Sequence, residues 1–137
     1  PLSRTSPLKV ARDAAPEQLH AVRLEHKDSF LAGGPPIGER KKLEVARALA
    51  TKPEMLLLDE VMGGLNPAES EEIIQLILDL RKRGLTQMVI EHDMKAIMRI
   101  SDRIVVLNSG EKLTEGSPRE VANHPDVIAA YLGERVE

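Results

Sequence analysis

The order of hydrophobic and polar positions along the chain predicts an α/β fold. Short apolar runs indicate strands at Met55–Leu58, Met88–Ile90 and Arg103–Asn108. The first has the pattern of a strand buried on both faces in a parallel sheet, and the second is also predicted to be buried. Helical spacing predicts helices at 17–24, Ile37–Thr51, Pro67 to about Gly84, and Asp93–Ile100. Because strands and helices alternate, we expect parallel strands with right-handed crossover helices. A terminal hairpin at Asn108–Glu111 and short C-terminal helices opening near Pro118 and Pro125 should follow.

The helix after the first strand has the clearest start signal. Asn66 is an N-cap residue, Pro67 occupies the first helical position, and Glu69 completes a capping-box pattern. Its apolar stripe is predicted to consist of Ile73, Leu76, Ile77 and Leu80. In the preceding helix we expect Leu43, Ala46 and Ala50 to share one side, with Lys41 and Glu44 opposite.

The beginning of the chain gives weaker signals. Three prolines among polar residues predict a loop over residues 1–16, and a turn is expected at Gly33–Pro36. The first residue is Pro1 and not Met, so we expect the chain to begin within a longer protein.

Composition narrows the possible functions. The 137 residues have a formal net charge of −3, and the aromatic residues are Phe30 and Tyr131 alone. A basic surface and stacking rings are therefore lacking, which argues against nucleic acid as a partner. The chain has no cysteine, which excludes disulfides and thiol catalysis. No apolar run approaches the roughly 20 residues of a membrane helix.

Two predicted strands end in residues that can do chemistry. Asp59 and Glu60 follow the first apolar run, and Glu91, His92 and Asp93 follow the second. Ligands of open parallel sheets gather beyond the carboxyl ends of the strands, so we expect Glu60 and His92 to lie at neighbouring strand ends. An acidic pair at this position suits Mg²⁺ binding next to a phosphate. Each feature alone is also common in solvated loops.

The remaining histidines and acids have simpler explanations. No second ligand lies at metal-binding spacing from His20, His26 or His124, which we interpret as surface residues. Glu69, Glu71 and Glu72 lie in the first turns of a predicted helix, where carboxylates complement the helix dipole.

Three blocks in this order resemble the ATPases of ABC transporters. Leu56–Glu60 resembles the Walker B strand, Gly63–Pro67 the D-loop, and Ile90–Asp93 the segment of the switch histidine. Ile37–Glu44 and the tail Ala129–Glu134 resemble more specifically the ATP-binding subunits of branched-chain amino-acid importers. The resemblance covers residues 24–134 approximately, and it implies the C-terminal portion of a P-loop NTPase domain.

The family also has a signature motif before an Ala-Arg-Ala-Leu helix, and two registers compete for it. Leu31–Pro35 looks more like the motif, but it lies four residues too far from Ala46–Leu49. Pro35–Glu39 has the family's distance, since Arg47 falls eight residues after Glu39. We therefore choose the second register.

The resemblance implies a role for each site residue. Asp59 would hold Mg²⁺, Glu60 would act as general base or orient water, and His92 would contact the γ-phosphate of ATP. Phosphate contacts across a head-to-tail dimer with a second ATP-binding subunit would come from Gly38, Glu39, Gly63, Gly64 and Asn66. Pro36 and Ile37 depart from the signature, and Asn66 replaces the usual aspartate and also suits an N-cap.

No G-x-x-x-x-G-K-[ST] phosphate loop occurs in the 137 residues. We therefore expect the chain alone to be inactive and to expose an unpaired sheet edge that promotes association. The predicted divisions are 1–36 (end of a helical subdomain), 37–117 (ATPase core) and 118–137 (helical tail).

The resemblance further implies permease partners at the cytoplasmic face of the membrane. Two alternatives remain open: a non-catalytic regulatory module that binds a partner ATPase, and a split ATPase half complemented in trans. The retained Asp59, Glu60 and His92 argue against the first alternative. The absence of heptads in residues 1–30 argues against a chromosome-maintenance type of split ATPase.

Overall fold

Between residues 37 and 108, helices and strands alternate along the chain as the sequence predicts. The computed structural model describes residues 7–25 and 34–132, and the chain divides into two units, Pro1–Met88 and Val89–Glu137. The helices are α1 (Pro7–Ala21), α2 (Ile37–Leu49), α3 (Pro67–Lys82), α4 (Met94–Ile100), α5 (Pro118–Ala122) and α6 (Pro125–Val127), followed by a π-helix, Ile128–Leu132. The strands are β1 (Met55–Asp59), β2 (Thr86–Ile90), β3 (Ile104–Asn108) and β4 (Glu111–Gly116).

The four strands form two small sheets. Among the described residues, β1 pairs with β2, and β3 pairs with β4 in an antiparallel hairpin. Ser109 and Gly110 both have positive φ values, 51° and 83°, as a tight two-residue hairpin turn requires. The predicted hairpin and C-terminal helices are confirmed.

Helix α3 forms the centre of the first unit. Its inward face buries Ile73, Ile74, Leu76, Ile77 and Leu80. The predicted capping box is present, with Asn66 and Glu69 each bonding the other's backbone amide at 3.0 Å. The helix ends before Gly84, whose amide donates to the carbonyl of Arg81, while the amide of Leu85 donates to that of Leu80. These two bonds define a Schellman ending, so both ends of α3 follow local sequence signals.

Helix α1 corrects the predicted loop over residues 7–16; residues 1–6 lie outside the described part. Pro7 is the first helical residue, where a missing amide costs no helical hydrogen bond. Pro16 lies inside the helix, and the helix continues to Ala21. Prolines among polar residues ordinarily indicate a loop, but the residues around Pro7 and Pro16 are mostly good helix formers.

Helix α2 differs from its predicted orientation. Its buried residues are Gly38, Lys42, Val45 and Ala46, whereas Leu43 is half-buried and Ala50 is exposed beyond the last turn. The predicted stripe is therefore wrong except at Ala46. A lysine lies in the inward face because its ammonium group pairs with the carboxylate of Glu72 on α3 at 2.5 Å.

Strand β1 is buried on one face only. Leu56 and Leu58 are buried, whereas Met55 and Leu57 are exposed, Leu57 to 68%. The expectation of a strand buried on both faces is therefore wrong for this chain. In β2, Met88 and Ile90 are likewise about half exposed.

In the second unit the helices cover the hairpin. Helix α5 packs against β4, and Val121 and Val127 are almost fully buried. Ser117 and Glu120 form a second capping box at the start of α5, which the sequence analysis missed. The hydroxyl of Tyr131 donates to the carbonyl of Leu107 at 2.5 Å, which fastens the π-helix to β3. The predicted divisions at residues 36 and 117 remain predictions.

Two identical substitutions at adjacent positions test the one-sided burial of β1. Leu56→Ala should lower the free energy of unfolding by about 2–5 kcal/mol, because it removes buried methyl groups and leaves a cavity. Leu57→Ala should change it by no more than about 0.5 kcal/mol. Urea denaturation of both variants measures the difference. An equally large loss for Leu57→Ala would show that both faces of β1 are covered in solution.

Candidate active site

The carboxyl end of β1 presents two acids. Asp59 is the last residue of the strand, Glu60 follows it, and both are exposed. Glu60 has a φ of 46°, the left-handed conformation that costs a non-glycine residue roughly 1–2 kcal/mol. Such strain persists only where surrounding contacts impose it.

Two donors hold the backbone at Glu60 in this conformation. The amide of Gly63 donates to the carbonyl of Glu60 at 3.1 Å, and Nζ of Lys41 on α2 approaches the same oxygen at 3.4 Å. A Cβ at Gly63 would lie 3.2 Å from this carbonyl, so a glycine allows the turn to close tightly. Gly64 then takes a φ of 77°, which glycine adopts without strain.

The D-loop of the sequence analysis, Gly63–Pro67, leads from this turn into α3. The backbone reverses at Gly64, and Asn66 starts the helix with its side chain on the amide of Glu69. Asn66 therefore has a confirmed structural role as a cap. Its predicted contact with nucleotide remains a prediction, and so do those of Gly63 and Gly64.

The start of α2 lies close to the D-loop. Pro36 is the N-cap residue and uses no capping side chain, Gly38 is buried, and Glu39 is half-buried in the first turn. A Cβ at Gly64 would lie 3.5 Å from Cδ1 of Ile37. The first-turn amides of a helix point out of its end, where they suit an anion. The structure thus brings the start of α2 and Gly64 together within one unit.

A small cavity lies between α2 and β1. Its volume is about 140 Å³, well below the 300–1,000 Å³ of ordinary ligand pockets. The lining residues are Lys41, Glu44, Val45, Ala48, Leu57, Leu58, Asp59 and Val61. This cavity is too small to enclose a nucleotide.

His92 belongs to the second unit. It is exposed and lies between β2 and α4, immediately before Asp93. The carboxylate of Asp93 caps α4 by accepting from the amides of Lys95 and Ala96 at 2.9 and 3.2 Å. His92 therefore stands at the start of a capped helix, and its predicted position beside Glu60 remains a prediction.

Within residues 7–25 and 34–132, no group of three or more His, Cys, Asp or Glu side chains is arranged to hold an ion. Mg²⁺ commonly keeps several waters and takes only one or two carboxylates together with substrate phosphates. Asp59, as an exposed carboxylate, fits that type of ligand set.

Sequence reasoning missed the role of Lys41, whose ammonium group approaches the backbone carbonyl of Glu60. It also interpreted Glu72 as a residue that complements a helix dipole, although its carboxylate pairs with Lys42. The spacing of charges along one helix does not reveal a partner on another.

No helix in the described part of the chain has both the length and the apolar character needed to cross a membrane.

Known proteins resemble this chain in sequence and in fold. Residues 111–137 match the family model for the branched-chain amino acid ATP-binding cassette transporter. The chain is 46% identical over 125 residues to the high-affinity branched-chain amino acid transport ATP-binding protein LivG of Salmonella typhimurium, covering 90% of this chain and 49% of LivG. It is 44% identical over 125 residues to BraF of Pseudomonas aeruginosa, a protein with the same description, with the same two coverages.

A solved structure supports the fold. The ADP conformation of an ATP-binding cassette of an ABC transporter superposes with a TM-score of 0.79 at 30% identity, over 89% of this chain and 50% of that one. The chain thus spans about half the length of the relatives it matches.

The fold and the sequence together relate the chain to the ATP-binding cassettes of ABC transporters, which confirms the predicted P-loop NTPase class. Among these, it is related to the cassettes of branched-chain amino acid transport, as the motifs indicated.

Asn66 provides a test of the cap that orders the D-loop. Asn66→Ala should lower the free energy of unfolding by about 0.5–2 kcal/mol, because the amide of Glu69 loses its acceptor. Asn66→Asp keeps an acceptor and should stay within about 0.5 kcal/mol of the parent. Urea denaturation distinguishes them. Equal losses in the two variants would contradict the capping role.

Proposed function

We propose that the chain is the Walker B, D-loop and switch-histidine part of an ABC-transporter ATP-binding protein. The complete protein would hydrolyse ATP to drive uptake of branched-chain amino acids or similar solutes. The observation that carries this proposal is the 46% identity over 90% of the chain. An alignment of that extent necessarily includes Asp59 through Asp93. The placement of Asp59 and Glu60 at the end of β1 supports it.

The residues at this strand end suit phosphoryl transfer. Asp59 would hold Mg²⁺, which supplies charge neutralisation for the phosphate oxygens. Glu60 would orient a water molecule and accept its proton as the water attacks the γ-phosphorus and the bond to the β-phosphate oxygen breaks, giving ADP and phosphate. His92 would donate a hydrogen bond to the γ-phosphate. Catalysis of this kind depends on positioning, which the fixed backbone at Glu60 favours.

The phosphate loop must come from residues outside these 137, in cis or from a partner. The first-turn amides of Gly38 and Glu39, together with Gly63, Gly64 and Asn66, would face ATP bound to a second ATP-binding subunit in a head-to-tail dimer. Gly38 is suited to this role because it lies at a helix start without a side chain.

The remaining partners follow from the relatives. Transmembrane permease subunits would bind the complete protein and hold it at the cytoplasmic face of the membrane. Contact with the membrane would be indirect, and we expect no nucleic-acid partner. The permease and its solute-binding protein would select the transported solute.

Replacing the proposed base tests the function. In the complete ATP-binding protein, Glu60→Gln should retain Mg-ATP binding and lower kcat by at least about a hundredfold, because the amide cannot accept the proton. Phosphate release measures kcat, and a fluorescent nucleotide measures binding.

Glu54→Gln is the matched control, since Glu54 is an exposed acid just before the opposite end of β1 and should turn over at the parent rate. The 137-residue chain without a phosphate loop should release no phosphate above background. A Glu60→Gln protein as active as its parent would refute the role of Glu60. Turnover by the 137-residue chain alone would refute the need for a phosphate loop from outside it.

A further inference from the structure

Glu69 stands at the meeting point of two helix starts. Its Oε2 accepts the amide of Asn66 at 3.0 Å, and its own amide donates to the side chain of Asn66 at 3.0 Å. The same carboxylate reaches α2, because a Cβ built on Gly38 would lie 2.9 Å from its Oε1 and 3.1 Å from its Cδ and Cγ. Thus one side chain caps α3 and fills the space beside the first turn of α2.

This contact needs a glycine at position 38. Real side chains do not approach a Cβ this closely, so any larger residue must displace the end of Glu69. A flexible glutamate ordinarily moves at little cost, but here its carboxylate is held by the amide of Asn66. A side chain at position 38 would therefore displace the Glu69 carboxylate and alter the cap of α3.

A second link between the helices is independent of the first. Lys42 and Glu72 form an ion pair at 2.5 Å, one helical turn farther along α2 and about one turn farther along α3. The lysine side chain is 9% exposed, whereas that of Glu72 is 56% exposed. This pair holds the helices together without touching the capping box, so removing it provides a control.

We propose that Glu69 is a positioning residue that couples the start of α2 to the D-loop. A shift of the backbone at Gly38 moves the carboxylate and changes the hydrogen bond at Asn66, and a shift at Asn66 acts in reverse. Both segments face nucleotide only if the proposed function is correct, whereas the coupling between them is independent of that function. Through Glu69, a phosphate contact at the start of α2 would alter the D-loop.

Amide hydrogen exchange of the 137-residue chain, followed by NMR, tests this coupling at a distance. Gly38→Ala should raise the exchange rate of the Asn66 amide about three- to tenfold, the loss expected for one hydrogen bond. Glu69→Ala should raise it by a similar factor. The double variant should exchange no faster than Glu69→Ala alone, because both substitutions act on the same bond.

The control and the rescue separate coupling from general loosening. Lys42→Met removes the ion pair and leaves no unpaired buried charge, because Glu72 is 56% exposed, so it should leave exchange at Asn66 within about twofold of the parent, as expected for sites without shared partners. In the Gly38→Ala background, Glu69→Asp shortens the side chain by one methylene and should restore protection at Asn66. If Gly38→Ala does not fold, Glu69→Ala alone tests the reverse direction, because it should change the chemical shift of the Gly38 amide, whereas an unchanged shift would contradict the coupling.

Three results would overturn the proposal. These are unchanged exchange at Asn66 in Gly38→Ala, exchange in the double variant that is faster than in Glu69→Ala alone, and an effect of Lys42→Met as large as that of Gly38→Ala. None of these measurements involves ATP. An inactive ATPase with intact coupling would therefore refute the proposed function alone, and an active ATPase without coupling would refute Glu69 alone.

Discussion

The arrangement of the first unit depends on where α3 begins. The reciprocal bonds between Asn66 and Glu69 fix that point, and Pro67 prevents the helix from extending backward in the ordinary hydrogen-bonding pattern. With the helix start fixed, the chain between Glu60 and Asn66 has only a few residues in which to reverse. The glycines at 63 and 64 make so short a connection possible. The left-handed backbone at Glu60 is the point where this connection begins.

Helix α2 depends on the same region. Its first turn lies against Gly64 and Glu69, and its second turn carries Lys42, which pairs with Glu72. A partly buried ion pair adds little net stability when compared with apolar contacts, because both charges lose water. It does impose a definite partner, since an unpaired ammonium group in this position would be costly. These polar contacts therefore give α2 and α3 specific partners, while apolar burial supplies most of the stability.

The sequence allowed good predictions where the signal was local. The capping box at Asn66 and the hairpin turn at Ser109 and Gly110 each depend on residues within a few positions of one another. The acidic pair at Asp59 was also placed correctly, because a buried strand that ends in acids marks a strand end whatever surrounds it. The order of these local features was sufficient to indicate the ABC-transporter resemblance that the comparisons support.

Errors arose where the outcome depended on distant partners. Lys42 enters the core because Glu72 lies opposite, and no pattern within α2 announces a partner thirty residues away. Leu57 belongs to an apolar run, yet in this chain nothing buries it, because burial depends on what packs against the strand. Pro16 shows the converse case. Proline ordinarily interrupts a helix, but α1 continues through it because the surrounding residues favour helix. The predicted position of His92 beside Glu60 likewise depends on packing between residues that are distant in the sequence.

The backbone at Glu60 has a consequence for protein engineering. A residue with a φ of 46° is a natural target for stabilisation, because glycine or asparagine adopts that conformation at lower cost. A selection for heat resistance alone would therefore tend to replace this glutamate. Each such replacement would gain stability by discarding the carboxylate at the end of β1. Thermostable libraries of this protein should accordingly hold position 60 constant, since here stability and chemistry favour different residues.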